Sequence, residues 1–315
     1  MTYDFIAIGG ATRDISFFVD RGVALEYGAK IKIDKFYYSF GGGAANAAVN
    51  LAHFGFKTAC LSAIGADEGG QKIINNLKGR GVKTELIEKI RGAESGTAFD
   101  LINSIGERIL FVERGANRSL TVNGAGLQAL KKTKNIYLAS LSGDWVKVLR
   151  RIFSVIGPGG PEICWNPGAR QFDRGLKFLA PFLKKTSVFA LNKEEAVELI
   201  LSSEKHKHLK PAALKIDTLL KIISSFGPKI VLITLGRDGV AAYDGHKIYH
   251  QKIVKEVKRV DTTGIGDIFN STFAAALAIY QSDINKALLL SLKNAAAKIA
   301  HQGAQNGLIK FKIKN

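Results

Sequence analysis

Residues 261 to 270 read Asp-Thr-Thr-Gly-Ile-Gly-Asp-Ile-Phe-Asn, and a helix-like apolar run follows at once. Gly264 and Gly266 can take backbone angles closed to other residues and let a ligand come close to the main chain. A helix that starts here presents unpaired N–H groups and the positive end of its dipole, which together favour an anion. Asp267 is then a carboxylate beside a bound anion. Phosphoryl transfer needs both parts: main-chain donors for the transferring group, and a carboxylate that takes the proton of the attacking hydroxyl. The same residues also describe an ordinary helix cap after a glycine turn.

Other stretches carry weaker signals. Gly41-Gly42-Gly43-Ala44-Ala45-Asn46 leads into a helix, with small residues that admit a ligand and an amide side chain one turn in. It is no dinucleotide fingerprint, because Asn46 stands where a third glycine is needed, and the chain has no GxxxxGK[ST] phosphate loop. Asp14 follows the first apolar run, at the strand end where open α/β sheets bind ligands, and could accept from two hydroxyls of a polyol. Asn192 to Glu195 also follows an apolar run. Asn192 reads as a helix cap or, with Glu195, as an organiser of the waters around Mg²⁺. Thr234-Leu235-Gly236-Arg237-Asp238-Gly239 is either a turn between strands or a place where a nucleotide passes close to the backbone. His53, His246, His250 and His301 have no triad partner at a telling spacing, and no G-x-S-x-G elbow is present.

The elements that must position these residues alternate between short apolar runs and longer helical segments, which predicts a doubly wound, mostly parallel sheet flanked by helices. Strands are expected at 5–9, 59–64, 136–139, 162–165, 187–191 and 230–235. Helices are expected at 43–54, 67–80, 144–156, 193–201, 212–226, 267–281 and 283–301. Two regions break the rhythm. Residues 15–40 include the alternating run Ile31 to Phe36, and residues 97–113 form two β-like runs around 103–106. Together they predict a small sheet, a lid or a dimer surface, on one domain spanning 1–315.

The totals narrow the class. Lys and Arg number 45 against 27 Asp and Glu, a net charge of +18. Basic surfaces attract nucleotides, phosphorylated metabolites, RNA and acidic lipids. Here the basic residues are scattered, without the aromatic interleaving of a nucleic-acid module, which makes nucleic acid an unfavoured partner. Cys60 and Cys164 sit in apolar runs, too few for a disulfide scaffold and suited to a reducing cytoplasm. No apolar run approaches the ~18 residues of a membrane-spanning helix.

Taken in order, these pieces resemble the ribokinase-like, or PfkB, family of carbohydrate kinases, from Ile6 to about Leu308. Asp261 to Asp267 is similar to that family's C-terminal signature, and Gly41 to Asn46 to its N-terminal one. Gly65 to Gly70, Gly115 to Asn117 and Gly303-Ala304 are weaker matches. The resemblance implies transfer of the ATP γ-phosphoryl group to a hydroxyl, usually primary, beneath a β lid. It implies Asp267 as base and an anion hole from the amides of Gly264, Ile265, Gly266 and Asp267. Asp14, Gly42, Gly43 and Asn46 would hold the sugar. Asn192 and Glu195 would support Mg²⁺ and the phosphates, and Thr234, Gly236, Gly239 and Asn294 would lie along the nucleotide. Asp261 and Thr263 fall near the monovalent cation, K⁺, of some members. Two departures stand out. Ile265 replaces the usual small residue between the glycines, and Gly43 stands where ribose-specific members often carry lysine.

A free sugar is the expected acceptor and a nucleoside the close alternative. Phe17, Phe18, Phe36, Tyr37, Tyr38 and Phe99 could stack on a base or form the lid's own core. A sugar phosphate would look to Arg13 and Arg114. A reading from another class is a catalytically silent basic nucleic-acid-binding protein on a kinase-like fold. A homodimer through the lid is the expected assembly.

Overall fold

The computed structural model describes residues 2–19, 26–103, 108–255 and 259–311. In chain order the strands are β1 (Phe5–Ile8), β2 (Thr12–Val19), β3 (Lys35–Gly41), β4 (Thr58–Gly65), β5 (Ile87–Ile90), β6 (Thr97–Asn103), β7 (Arg108–Glu113), β8 (Asn135–Leu138), β9 (Glu162–Trp165), β10 (Val188–Asn192), β11 (Ile230–Thr234), β12 (Val240–Tyr243) and β13 (Ile248–Gln251). The helices are α1 (Gly43–His53), α2 (Glu68–Gly79), α3 (Gly124–Lys132), α4 (Trp145–Phe153), α5 (Ala169–Phe172), α6 (Gly175–Leu183), α7 (Lys193–Leu201), α8 (Ile216–Ser224), α9 (Ile265–Ile279) and α10 (Ile284–Ile299).

Nine strands form the large sheet, in the order β13-β12-β11-β10-β9-β8-β1-β4-β5. From β11 to β5 every pairing is parallel, and β12 and β13 continue the other edge antiparallel. Strands covered on both faces read as unbroken apolar runs. β1 and β4 are buried at every position, as that requires. One face packs Leu130, Leu149, Leu179, Leu199 and Leu220 from α3, α4, α6, α7 and α8. The other packs Leu51, Ile73, Phe273 and Leu288 from α1, α2, α9 and α10. The chain leaves β1 toward β4 and β5, then returns to lay β8 on the other side of β1. Crevices at such reversals of strand order are where open α/β sheets bind ligands. Both cysteines are buried and unbridged, and burial pushes each thiol up to about 12. Among the described residues no helix is long and apolar enough to cross a membrane.

The second sheet runs β3-β2-β6-β7. Within the expected run Ile31 to Phe36, only Lys35 and Phe36 are strand. The register with β2 begins at Phe18 opposite Lys35, and residues 20–25, which follow β2, lie outside the described residues. The turn expected at 103–106 lies, apart from Asn103, outside the described residues. Three helices (α3, α5, α6) and three strands (β5, β12, β13) escape the sequence reading. All are short, β5 and β13 carry charged or polar residues at exposed positions, and α6 contains Pro181.

Opposed residues of paired strands point to the same face of a sheet. Asp14 stands opposite Ser39 and Ala98, and Ser16 opposite Tyr37 and Asp100. These residues share the face turned toward the large sheet's crevice. Phe17, Phe36, Tyr38, Phe99 and Phe111 lie on the opposite face. Phe17 and Phe99 stack on each other there, 6.3 Å between ring centroids.

Candidate active site

The N-terminus of α9 meets that of α1 above the crevice. α1 is built largely from alanine, which lets its backbone approach α9 closely, and Asn46 and Asn50 lie one turn apart on the approaching side. Asn50 Nδ2 donates to the hydroxyls of Ser271 and Thr272 at 2.8 and 2.9 Å. Asn46 Nδ2 donates to Asp267 Oδ2 at 2.9 Å, across 221 residues of chain. The other end of the Asn46 amide is held as well: Gln305 Nε2 donates to its Oδ1 at 3.2 Å, and Asn76 Nδ2 donates to Gln305 Oε1 at 2.8 Å. Burial pushes the Asp267 carboxyl above its usual range, and the Asn46 bond opposes that shift.

The glycines around this contact have separate physical reasons. Gly42 has φ +90°, and a Cβ there would stand 2.5 Å from the Gly10 carbonyl oxygen. A Cβ at Gly43 would stand 2.8 Å from Ala139 Cβ and 3.2 Å from Asp267 Oδ1, so a bare position 43 keeps the space beside the carboxylate open. Gly264 is left-handed, φ +69°, and a Cβ there would stand 2.6 Å from Ala304 Cβ and 3.0 Å from Asn46 Nδ2.

Asp14 lies inside β2 of the small sheet, not at the tip of the large sheet's first strand, and the register buries it. Its Oδ1 accepts from the Thr12 hydroxyl at 2.7 Å. The carboxyl is pushed up to about 6, first by burial and further by the carboxylates of Asp100, Asp261 and Asp267, with the Thr12 bond opposing. Asp14 and Asp267 therefore share one electrostatic environment, in a chain that is otherwise strongly basic.

Behind the α9 N-terminus lies a cavity of about 270 Å³. Thr234, Gly236 and Gly239 line it together with Ile265 and Gly266 of α9. Ile253, Val254 and the α10 stripe Leu292, Ala295, Ala296 and Ile299 supply apolar wall. Arg237 and Arg259 also line it, and a largely apolar cavity that reaches a helix N-terminus and two guanidinium groups suits a flat heterocycle joined to phosphates. The first residue of α9 to close a helical bond at this end is Ile268, whose amide donates to Gly264 at 3.0 Å, so the amides of Gly264, Gly266 and Asp267 precede the ladder. The Ile265 amide instead donates within the turn, to the Thr262 carbonyl at 3.3 Å.

Asn294, expected along the nucleotide, is not in that lining. It is fully buried between helices, donates to Asn50 Oδ1 and Thr272 Oγ1, and accepts from the Ile309 amide. Its amide is used to hold α10 against α1 and α9. Asn192 caps α7: its side chain accepts from the Glu195 amide at 2.7 Å while Glu195 Oε2 accepts from the Asn192 amide at 2.8 Å. Burial raises the Glu195 carboxyl, the Asn192 amide opposes, and Glu194 and Glu198 add to the rise. Asn192 and Thr234 are register partners at the ends of β10 and β11, so this acidic helix start lies beside the nucleotide-sized cavity.

Asp261 ties the approach to α9. Its Oδ1 accepts from the Thr263 amide and its Oδ2 from the Gly303 amide, both at 2.8 Å. Burial would raise this carboxyl, but the Lys298 ammonium and these bonds hold it below the usual range. Gln305 and Lys298 were not legible as site residues. Gln305 stands in no motif, and Lys298 reads as one more basic residue of an amphipathic helix that also carries Lys286 and Lys293.

The geometry has counterparts among known proteins. The family model for pfkB family carbohydrate kinases matches residues 4–310. A ribokinase of Mus musculus is 28% identical over 284 residues, covering 89% of this chain and 84% of that protein. The structure of Arabidopsis thaliana ribokinase complexed with ribose and ATP superposes with TM-score 0.80 at 21% identity, covering 98% of this chain and 96% of that one. A Burkholderia thailandensis nucleoside kinase in complex with inosine gives TM-score 0.79 at 19% identity, covering 98% and 94%.

Proposed function

Because the chain belongs to the pfkB family of carbohydrate kinases, we propose that it transfers the γ-phosphoryl group of ATP to a primary hydroxyl of a small, uncharged sugar. The observation that carries this reading is the bond from Asn46 to Asp267, which brings the two sequence signatures together at one carboxylate. Asp267 takes the proton of the attacking hydroxyl. The amides of Gly264, Gly266 and Asp267, with the dipole of α9, stabilise charge on the transferring group. Asp14 accepts from sugar hydroxyls, and Asn46 serves mainly to orient Asp267. Glu195, beside the Asn192 cap, is the residue that would hold Mg²⁺ through its waters. Crowded carboxylates whose repulsion a hydrated cation would relieve suit that ion, which when bound neutralises phosphate charge.

An uncharged acceptor follows from electrostatics. The carboxylates of Asp100, Asp261 and Asp267 already raise the cost of ionising Asp14, and a phosphorylated acceptor placed there would add to it. A nucleoside base would find fewer aromatic partners than the sequence offered, since Phe17, Phe36, Tyr38 and Phe99 face away from Asp14. A panel of sugars, sugar phosphates and nucleosides assayed for ADP release tests the reading. Turnover should be confined to neutral sugars. Turnover restricted to nucleosides or sugar phosphates would replace the acceptor, and none at all would remove the kinase assignment.

The raised Asp14 carboxyl gives a pH signature. Protonation removes an acceptor of hydroxyl hydrogens, so kcat/KM for the sugar should fall as pH drops through about 6. Asp267, also raised, shares that limb, so its midpoint belongs to the coupled group. Asp14→Asn should raise the sugar KM and shift the limb; an unaltered KM would exclude Asp14 from the sugar site.

The small sheet serves in this reading as a lid on one side and a dimer surface on the other. Phe36, Tyr38, Ile109 and Phe111 are about half exposed on its outer face, a contiguous apolar patch of the kind that marks an interaction surface. Sedimentation should show a dimer, and Phe36→Asp with Phe111→Asp a monomer; a monomeric wild type would end the proposal.

A further inference from the structure

Lys298 of α10 is fully buried. Its ammonium donates to the main-chain carbonyl of Asp261 at 2.8 Å and stands 4.0 Å from that residue's Oδ1. A buried ammonium is costly unless anions and hydrogen-bond acceptors surround it. Here those acceptors belong to the turn that delivers the anion hole. The neighbouring amides of Val260 and Asp261 donate to the carbonyl of Ile299, the residue after Lys298. Asp261 then fixes Thr263 and Gly303 through its two carboxylate oxygens. Next come Thr263 and the left-handed Gly264, whose α position packs on Ala304 and Asn46. A single positive charge thus pins the segment whose shape decides where the α9 amides point.

The expected K⁺ at Asp261 and Thr263 does not fit this arrangement. The Asp261 carbonyl is turned to an ammonium, and both carboxylate oxygens accept from main-chain amides. A second cation would lie against a buried positive charge, where repulsion is poorly screened. We propose that Lys298 Nζ stands in for a monovalent cation: it is a positioning residue that holds the 261–264 turn, and turnover needs no K⁺. The proposal rests on the kinase reading above for its activity readout only.

The test compares the wild-type enzyme in potassium-free tetramethylammonium chloride with KCl, NaCl and NH₄Cl at equal ionic strength. Turnover should change by less than about twofold, as expected when no differential binding exists. Activation by K⁺ of about tenfold or more would overturn the proposal. Lys298→Met should lower kcat by at least about tenfold with little change in sugar KM, because the donors are displaced in the transition state and the sugar contacts remain. Lys298→Ala should be partly restored by ammonium or K⁺ filling the vacated space, which a lysine needed only for packing would not show. Unchanged turnover in Lys298→Met, or no restoration in Lys298→Ala, would count against the role. Should the variants fail to fold, wild-type crystals soaked in a thallium(I) salt decide by anomalous scattering. No peak should appear within bonding reach of the Asp261 carbonyl, and a peak there would overturn the proposal. That measurement needs no turnover, so it stands even if the acceptor panel fails.

Discussion

Asp267→Asn lowers kcat by about 10³-fold, within the span of a lost general base, while nucleotide affinity stays within about twofold. Asparagine keeps an oxygen where Asp267 Oδ2 accepts from Asn46 at 2.9 Å, so the α1–α9 junction is preserved. The amides that precede the α9 ladder keep their direction, because Gly264 and the first helical bond at Ile268 are untouched. Only the proton acceptor is lost. Isothermal titration with a non-hydrolysable ATP analogue and steady-state rates on the best sugar check both halves. Near-normal turnover would take Asp267 out of the mechanism. Loss of nucleotide binding together with turnover would mean that the carboxylate holds structure.

Asn46→Ala lowers kcat by about 10- to 100-fold, the range expected from removing a hydrogen bond to a charged group. Position 46 was expected to hold the sugar, which would make acceptor KM the main casualty. Its amide already has a partner at each end, Asp267 and Gln305, and on that ground we expect the larger effect on kcat. Without that donor the Asp267 carboxyl, already raised by burial, rises further. A base with a higher pKa needs a higher pH to be ionised, so the acidic limb of kcat should move upward and activity should recover partly on the alkaline side. A full pH–rate profile of wild type and variant reads this directly. An unchanged limb with only a raised sugar KM would return Asn46 to the substrate site. Gln305→Ala should show the same displacement in smaller measure, since it acts one bond further out.

Much of the frame was legible because its signals are local. β9 and α7 fall where apolar period and flanking residues place them, and α9 begins two residues before its expected start because Gly264, not Asp267, serves as its cap. Less was legible where one pattern serves two ends. The α10 stripe at Leu292, Ala295, Ala296 and Ile299 has the spacing of any core-facing helix, yet it walls the nucleotide-sized cavity. Asn294, in the midst of that stripe, sits one helix face away and bonds only inside the protein. The lid aromatics likewise read as one cluster, and only strand pairing divides them between two faces.

The alternation of the principal strands and helices, the two glycine-rich helix starts and the aspartate of the second were set by the sequence alone, since backbone freedom, periodicity and capping depend on near neighbours in the chain. Folding alone decided that Asp267 is oriented by Asn46, that Gln305 supports Asn46, and that Lys298 lies against Asp261. The first two contacts span more than 200 residues and the third 37. Each is fixed by how α1, α9 and α10 pack on one face of the sheet, which local spacing does not encode.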